Sequence, residues 1–196
     1  MNGKSPTLSY SHVLILNSAA LQASSSPSVT SVRVVVHTSG RIENSQRSDN
    51  HWSMFLITGA RNSVRINMRA EDIDYVNGVL EVTNHEYVLS NSTLQHWDFA
   101  VNNGFTVKHF TDLIYENKRE IYNMSGGGSG CRYWQYVVLG DFARSGFLVD
   151  ANAATILWPN LLFSYARDIP REALPMVMGQ FDVEDEEEDE DEDEDE

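Results

Sequence analysis

One thiol, six imidazoles and a run of glycines are where this sequence offers chemistry. Cys131 is the only cysteine, and it follows the glycines of S-G-G-G-S-G-C-R-Y-W-Q-Y, Ser125 to Tyr136. Three readings of that stretch stand side by side. Glycines ahead of a helix expose backbone N–H groups that hold anions, and Arg132 could add its charge. A nucleotide P-loop, however, requires G-K-[ST] after its glycines, and the residues here are G-C-R. Alternatively, Gly and Ser make an ordinary flexible linker and the cysteine is a small buried hydrophobe. Third, a thiol at a helix N-terminus sits at the positive end of the helix dipole, equivalent to about half a charge, which favours thiolate. The glycines would then let a substrate backbone approach the sulfur, and the Cys131 N–H would help hold an oxyanion.

The third reading needs a base. His12 falls in a Ser-rich arm, and His109 lies in an amphipathic helical stretch on its solvent side. His85 and His96 fall near strand ends or loops. His37 ends V-R-V-V-V-H, where a polar strand terminus accounts for it. His51 opens N-H-W-S-M-F-L-I-T after a long polar loop, so its imidazole emerges where a strand starts, at the accessible edge of a core.

The elements that must position these groups are legible in outline. V-R-V-V-V-H from Val32 and H-W-S-M-F-L-I-T from His51 have the β-branched or apolar density of strands. V-R-I-N-M alternates, with Val64, Ile66 and Met68 inward. Asn77-Gly78 marks a turn ahead of another strand, and E-Y-V-L-S reads as a further one. Val107, Phe110 and Ile114 recur at helical spacing behind Thr106 as cap. Ile121 to Met124 reads as a short extended piece, and Cys131 to Phe142 as a second helix. The remainder, with prolines at 159 and 170, reads as irregular. Strands followed by helices predict an α+β fold, a mainly antiparallel sheet with packed helices.

Of the 196 residues, 1–30 read as a flexible arm with a short helix near 14–21, 31–178 as one domain, and 179–196 as a disordered acidic tail. Asp182 and Glu184 to Glu196 supply 14 acidic residues; without them the net charge falls from −15 to −1. A basic nucleic-acid footprint is therefore missing. One cysteine makes neither an internal disulfide nor a Cys₄ or Cys₂His₂ zinc site, and nothing calls for a cofactor or metal. The apolar run Val13 to Leu16 is too short for a signal-peptide core, and no stretch is long enough for a membrane helix. The expectation is a cytoplasmic protein, with the nucleus open.

A strand opening H-W, a hairpin, a helix, a short Tyr-bearing segment and a Cys-initiated helix with an aromatic three residues on together span roughly residues 50 to 142. This arrangement resembles the circularly permuted papain-like folds: relatives of lecithin retinol acyltransferase, NlpC-type peptidases in permuted form, and PPPDE-type isopeptidases. In those families the catalytic His precedes the catalytic Cys, as His51 precedes Cys131. Y-N-M-S-G-G-G-S-G-C-R-Y-W takes the place of their Y-x-x-x-x-N-C-x-x-F. The N-H-W and G-C-R-[FY]-W signatures also resemble those of an uncharacterised fungal family. Two features depart from the permuted enzymes. Gly130 stands where the acyltransferases carry Asn, and no second His follows on the next strand. Arg65 and Asn67, opposite the Val64, Ile66 and Met68 face, are the nearest polar candidates, and Asn67 is suited to accept an imidazole N–H as in Cys-His-Asn sites.

The resemblance implies a papain-like thiol hydrolase or acyltransferase working on an amide, isopeptide or ester through a thioester, with Cys131, His51 and Asn67 as its catalytic set. Its substrate would be peptide-like or a small acyl compound, bordered by Trp52, Gly130, Arg132 and Trp134. Trp52, Trp134, Tyr133 and Tyr136 would equally well fill a core. The alternatives are a non-catalytic interaction protein of the same fold, its acidic tail engaging a basic protein, and an accessory or tailoring protein of fungal secondary metabolism.

Overall fold

The computed structural model describes residues 26–41, 48–70, 77–125 and 130–181. The short helix expected near 14–21, the glycines from 126 to 128 and the acidic tail from 182 onward lie outside the described residues.

Five strands make one antiparallel sheet: β1 (Ser31–Arg41), β2 (Ser48–Ile57), β3 (Ser63–Ala70), β4 (Gly78–His85) and β5 (Thr93–Ala100), in spatial order β4-β3-β2-β1-β5. Period-2 alternation decides which face each side chain takes. Val32, Val34 and Val36, then Trp52, Met54 and Leu56, then Val64, Ile66 and Met68 are all buried on one face. Helices α1 (Val107–Glu116), α2 (Cys131–Arg144) and α3 (Ala153–Leu161) close that face through Phe110, Ile114, Trp134, Val138, Phe142 and Leu157. The fold is thus α+β with a mainly antiparallel sheet and packed helices.

The opposite face is polar, yet much of it is also covered. Strands β4 and β5 lie at opposite edges of the sheet, so residues 86–92 joining them must cross it. The crossing is pinned by Ser63 Oγ donating to the Tyr87 carbonyl (2.5 Å), Arg33 to the Val88 carbonyl (2.9 Å) and the Thr38 N–H to the Ser92 carbonyl (2.9 Å). His85 and Tyr87 close over Phe55, which is fully buried on this polar side.

Two local expectations are corrected. E-Y-V-L-S belongs to this crossing and is not a strand, whereas T-L-Q-H-W-D-F-A, unassigned in the sequence reading, is β5. Its register against β1 slips between Val36 and His37, which pair with Gln95 and Thr93 and leave Leu94 as the extra residue of a bulge. The bulge breaks the alternation by which the strand would be recognised. Likewise A-A-T-I-L-W-P-N-L is the helix α3 despite Pro159 inside it. Proline falls in the last turn, where it removes one hydrogen bond but leaves the preceding turns intact.

The ends of the body are tied in by four short strands and a bridge. Val29 is in the core and its N–H donates to the Phe105 carbonyl. Strand β6 (Tyr122–Asn123) pairs with β9 (Gln180–Phe181), and β7 (Phe163–Ser164) with β8 (Glu172–Ala173).

Candidate active site

The sheet forks at one end. β2 and β3 pair only from Met54 to Ile57 against Ser63 to Ile66. Beyond that β2 stays with β1 as far as Ser48, and β3 stays with β4 as far as Ala70. The backbone of β2 at Trp52 therefore has no strand partner on its β3 side, and a bare N–H or C=O in a buried position is costly. The first turns of α2 fill the gap. Gln135 Nε2 donates to the Trp52 carbonyl at 3.3 Å, and the Trp52 backbone N–H donates to the sulfur of Cys131.

Cys131 is the first residue of the 14-residue α2, capped by Gly130. Gly130 has φ 128°, a value that favours glycine, and an added Cβ would stand 3.0 Å from the Tyr122 hydroxyl. That hydroxyl donates to the Gly130 carbonyl (2.9 Å) and accepts the Gly179 N–H (2.9 Å), so the turn into the helix is anchored from the β6–β9 ladder. The glycine ahead of the thiol thus has a local structural cause.

His51 on β2 and Asn67 on β3 stand on either side of the fork, and His51 Nε2 lies 2.5 Å from Asn67 Oδ1. The imidazole also shares a hydrogen bond with the Cys131 thiol. With Nε2 engaged by Asn67, Nδ1 is the nitrogen left for sulfur. The structure therefore joins Cys131, His51 and Asn67 in one hydrogen-bonded chain.

Burial pushes the Cys131 thiol up and the His51 imidazole down. For each, the bond and charge of the other act against burial. With the Trp52 N–H and the Arg132 charge added, Cys131 ends below its ordinary value. With Asn67 added and Arg65 opposing, His51 ends above its own. Both directions favour a thiolate beside an imidazolium. Cys131 as a residue is 9% exposed.

A second imidazole lies next door. His37 is the cross-strand partner of His51, its ring stacked at 6.4 Å. Its Nε2 meets Ser53 Oγ at 2.8 Å and its Nδ1 meets Ser92 Oγ at 3.0 Å. Burial, followed by the charges of Arg65 and His51, lowers it to about 3, so it is neutral.

The residues expected to border a substrate are placed otherwise. Trp52 is fully buried and stacked on Trp97 at 5.4 Å, and Trp134 is fully buried with its indole N–H donated to the Arg119 carbonyl. Arg132 is 8% exposed, and its guanidinium donates to the carbonyls of Leu161, Leu174 and Pro175. It ties the C-terminal segment to the start of α2. Sequence reasoning passed over Gln135 and Glu81. The i, i+4 spacing from Cys131 is the signal that puts Gln135 on the same helix face. Glu81 becomes visible only through the register that sets it opposite Asn67. Among the described residues, no group of three His, Cys, Asp or Glu side chains gathers to hold a metal ion, and no helix is long and apolar enough to cross a membrane.

No curated protein and no solved structure is significantly similar to the chain. A family model described as "Domain of unknown function (DUF7770)" matches residues 32–182, which takes in all of the sheet but Ser31, the three helices, the fork and the thiol. The chain belongs to that DUF7770 family.

Proposed function

We propose that the protein is a papain-like cysteine hydrolase or acyltransferase. The observation that carries this reading is the hydrogen-bonded chain from Cys131 through His51 to Asn67 at the N-terminus of a helix. The Cys131 thiolate attacks the carbonyl carbon of an amide, isopeptide or ester. A C–S bond forms, and the carbonyl oxygen takes the electron pair. The Cys131 N–H is in the first turn of α2, where N–H groups lack an intrahelical acceptor, and it is placed to stabilise that oxyanion. As the bond to the leaving group breaks, the His51 imidazolium gives its proton to the departing nitrogen or oxygen. Water or an amine then attacks the thioester, His51 removes its proton, and the thiolate departs with the pair from the broken C–S bond. Asn67 keeps the imidazole in plane and supports its charge.

The same geometry argues against a purely binding role, which gives the thiol no need of a histidine partner. The test is the rate of iodoacetamide alkylation of Cys131 against pH, in the wild type and in His51→Ala. The expected result is an apparent thiol pKa well below the unperturbed ~8.5 in the wild type and above it in the variant. At pH 6, where each unit of thiol pKa above the pH is about tenfold in thiolate, the variant should react at least about tenfold more slowly. A profile at the ordinary value, unmoved by the substitution, sinks the proposal.

A further inference from the structure

We propose that Glu81 is a positioning residue for the thiol pair: its carboxylate fixes the Asn67 amide so that Oδ1, and not Nδ2, meets His51. The inference rests on the Cys131–His51 reading above and deepens it. An amide has one accepting end and one donating end, and the two are nearly the same shape. Which end faces His51 decides which ring nitrogen carries hydrogen. Asn67 is 4% exposed, so solvent is a poor arbiter, and the neighbours must choose.

Glu81 makes that choice. It is the direct cross-strand partner of Asn67 in the β3–β4 ladder. An ionised carboxylate only accepts, so it demands Nδ2, which donates to Glu81 Oε2 at 2.9 Å. Oδ1 is thereby sent the other way, to His51 Nε2 at 2.5 Å and to the Arg65 guanidinium at 3.4 Å. Because Oδ1 cannot donate, Nε2 must carry the hydrogen. In the neutral imidazole Nδ1 is then the acceptor, ready for the proton of Cys131. A neutral or withdrawn group at position 81 would admit the flipped amide, which donates to Nε2 and forces the hydrogen onto Nδ1, facing sulfur. That tautomer cannot take the thiol proton at Nδ1.

Glu81 is itself held, with Oε1 accepting from Arg69 Nε at 2.7 Å. Burial pushes its carboxyl up, but the bonds from Arg69 and Asn67 and the charges of Arg69 and Arg65 bring it below the ordinary value. It is ionised near neutral pH. The groups facing the pair are Arg132 on α2, Arg65 on β3, His37 on β1 and Tyr122 on β6.

The test uses the full chain and two readouts: the pH profile of Cys131 alkylation, and the His51 tautomer seen in ¹⁵N–¹H spectra of the imidazole above the pKa of the pair. In Glu81→Gln the apparent thiol pKa is expected to rise by about one unit, a rate about tenfold lower at pH 6. The spectra should change from Nε2–H alone to a mixture of tautomers. Arg69→Gln, which removes the ion pair but leaves Glu81 on Asn67, should shift the profile by less than a third as much and keep Nε2–H. If Glu81→Gln does not fold, Glu81→Asp keeps the charge, withdraws the carboxylate by one methylene and should give the same change at about half the size. A folded variant at position 81 with the wild-type profile and pure Nε2–H overturns the inference. If instead the wild-type thiol is ordinary and indifferent to His51, the enzyme reading fails, while the His51 tautomer still decides the role of Glu81.

Discussion

His37 and His51 are cross-strand partners on one face of one sheet, and burial pushes both imidazoles toward neutrality. They nevertheless end on opposite sides of the ordinary histidine value. His37 has two serine hydroxyls, which serve either tautomer of the neutral ring, and it faces the positive charges of Arg65 and His51. His51 feels the same Arg65, but it also has a thiolate and an amide oxygen, which reward a charged ring. Depth is therefore not what sets charge here; the partner is. The partner arrives only because the β2–β3 ladder opens and lets the start of α2 reach the polar face.

The sharpest way to break the contrast is to remove the negative partner. Cys131→Ser keeps a hydrogen-bonding group but supplies no anion near neutral pH. The His51 imidazole should then drop below its usual 6.5, because burial and the Arg65 charge would act on it with no anion opposing them. A pH titration of the ring ¹³C resonances measures this directly. If His51 kept its raised value, the thiolate would not be its cause, and the ion-pair account would be lost.

A smaller effect probes the other ring. His37 titrates at about 3 in the folded chain and near 6.5 when unfolded. Between those values the unfolded chain binds a proton that the folded one refuses, so stability falls as pH drops. The slope is about 1.4 kcal/mol per unit from pH 6.5 downward, about 2 kcal/mol by pH 5. His37→Gln retains polar contacts without titrating and should remove that slope from urea midpoints measured between pH 7 and 5. An unchanged slope would place the acid sensitivity elsewhere.

How much of this was readable beforehand differs between the two histidines for a physical reason. Cys131, His51 and Asn67 announce themselves through local chemistry: glycines before a helix, an imidazole at the start of an apolar strand, and an amide out of phase with Val64, Ile66 and Met68. The three sit on one hydrogen-bonded chain in the structure. The sheet and the helices α1 and α2 were likewise legible from periodicity, while the bulge at Leu94 hid β5 and Pro159 hid α3. What local pattern cannot carry is register. Glu81 matters because it falls opposite Asn67, and the Trp52 N–H matters because its ladder ends there. The quiet role of His37 depends on Ser92, brought over the sheet by the crossing that sequence mistook for a strand. Composition also does not separate an arginine that meets a substrate from one, like Arg132, that closes three backbone carbonyls.

The finest cut separates the two rings while touching only one. Ser92→Ala removes the hydroxyl at His37 Nδ1 and its bond to Ser90, but not the backbone bond from the Thr38 N–H to the residue 92 carbonyl that fixes the crossing. His37 would keep Ser53 and lose about 1 kcal/mol of support at pH 7, measurable as a lower urea midpoint. Alkylation of Cys131 should be unaffected, because among the described residues no hydrogen bond joins His37 directly to Cys131, His51 or Asn67, and the neutral ring contributes no charge to them. A shift in the thiol profile of this variant would mean that Arg65, which touches both Ser53 and Asn67, carries the disturbance across. The polar face would then have to be treated as one electrostatic unit, with the two histidines no longer independent.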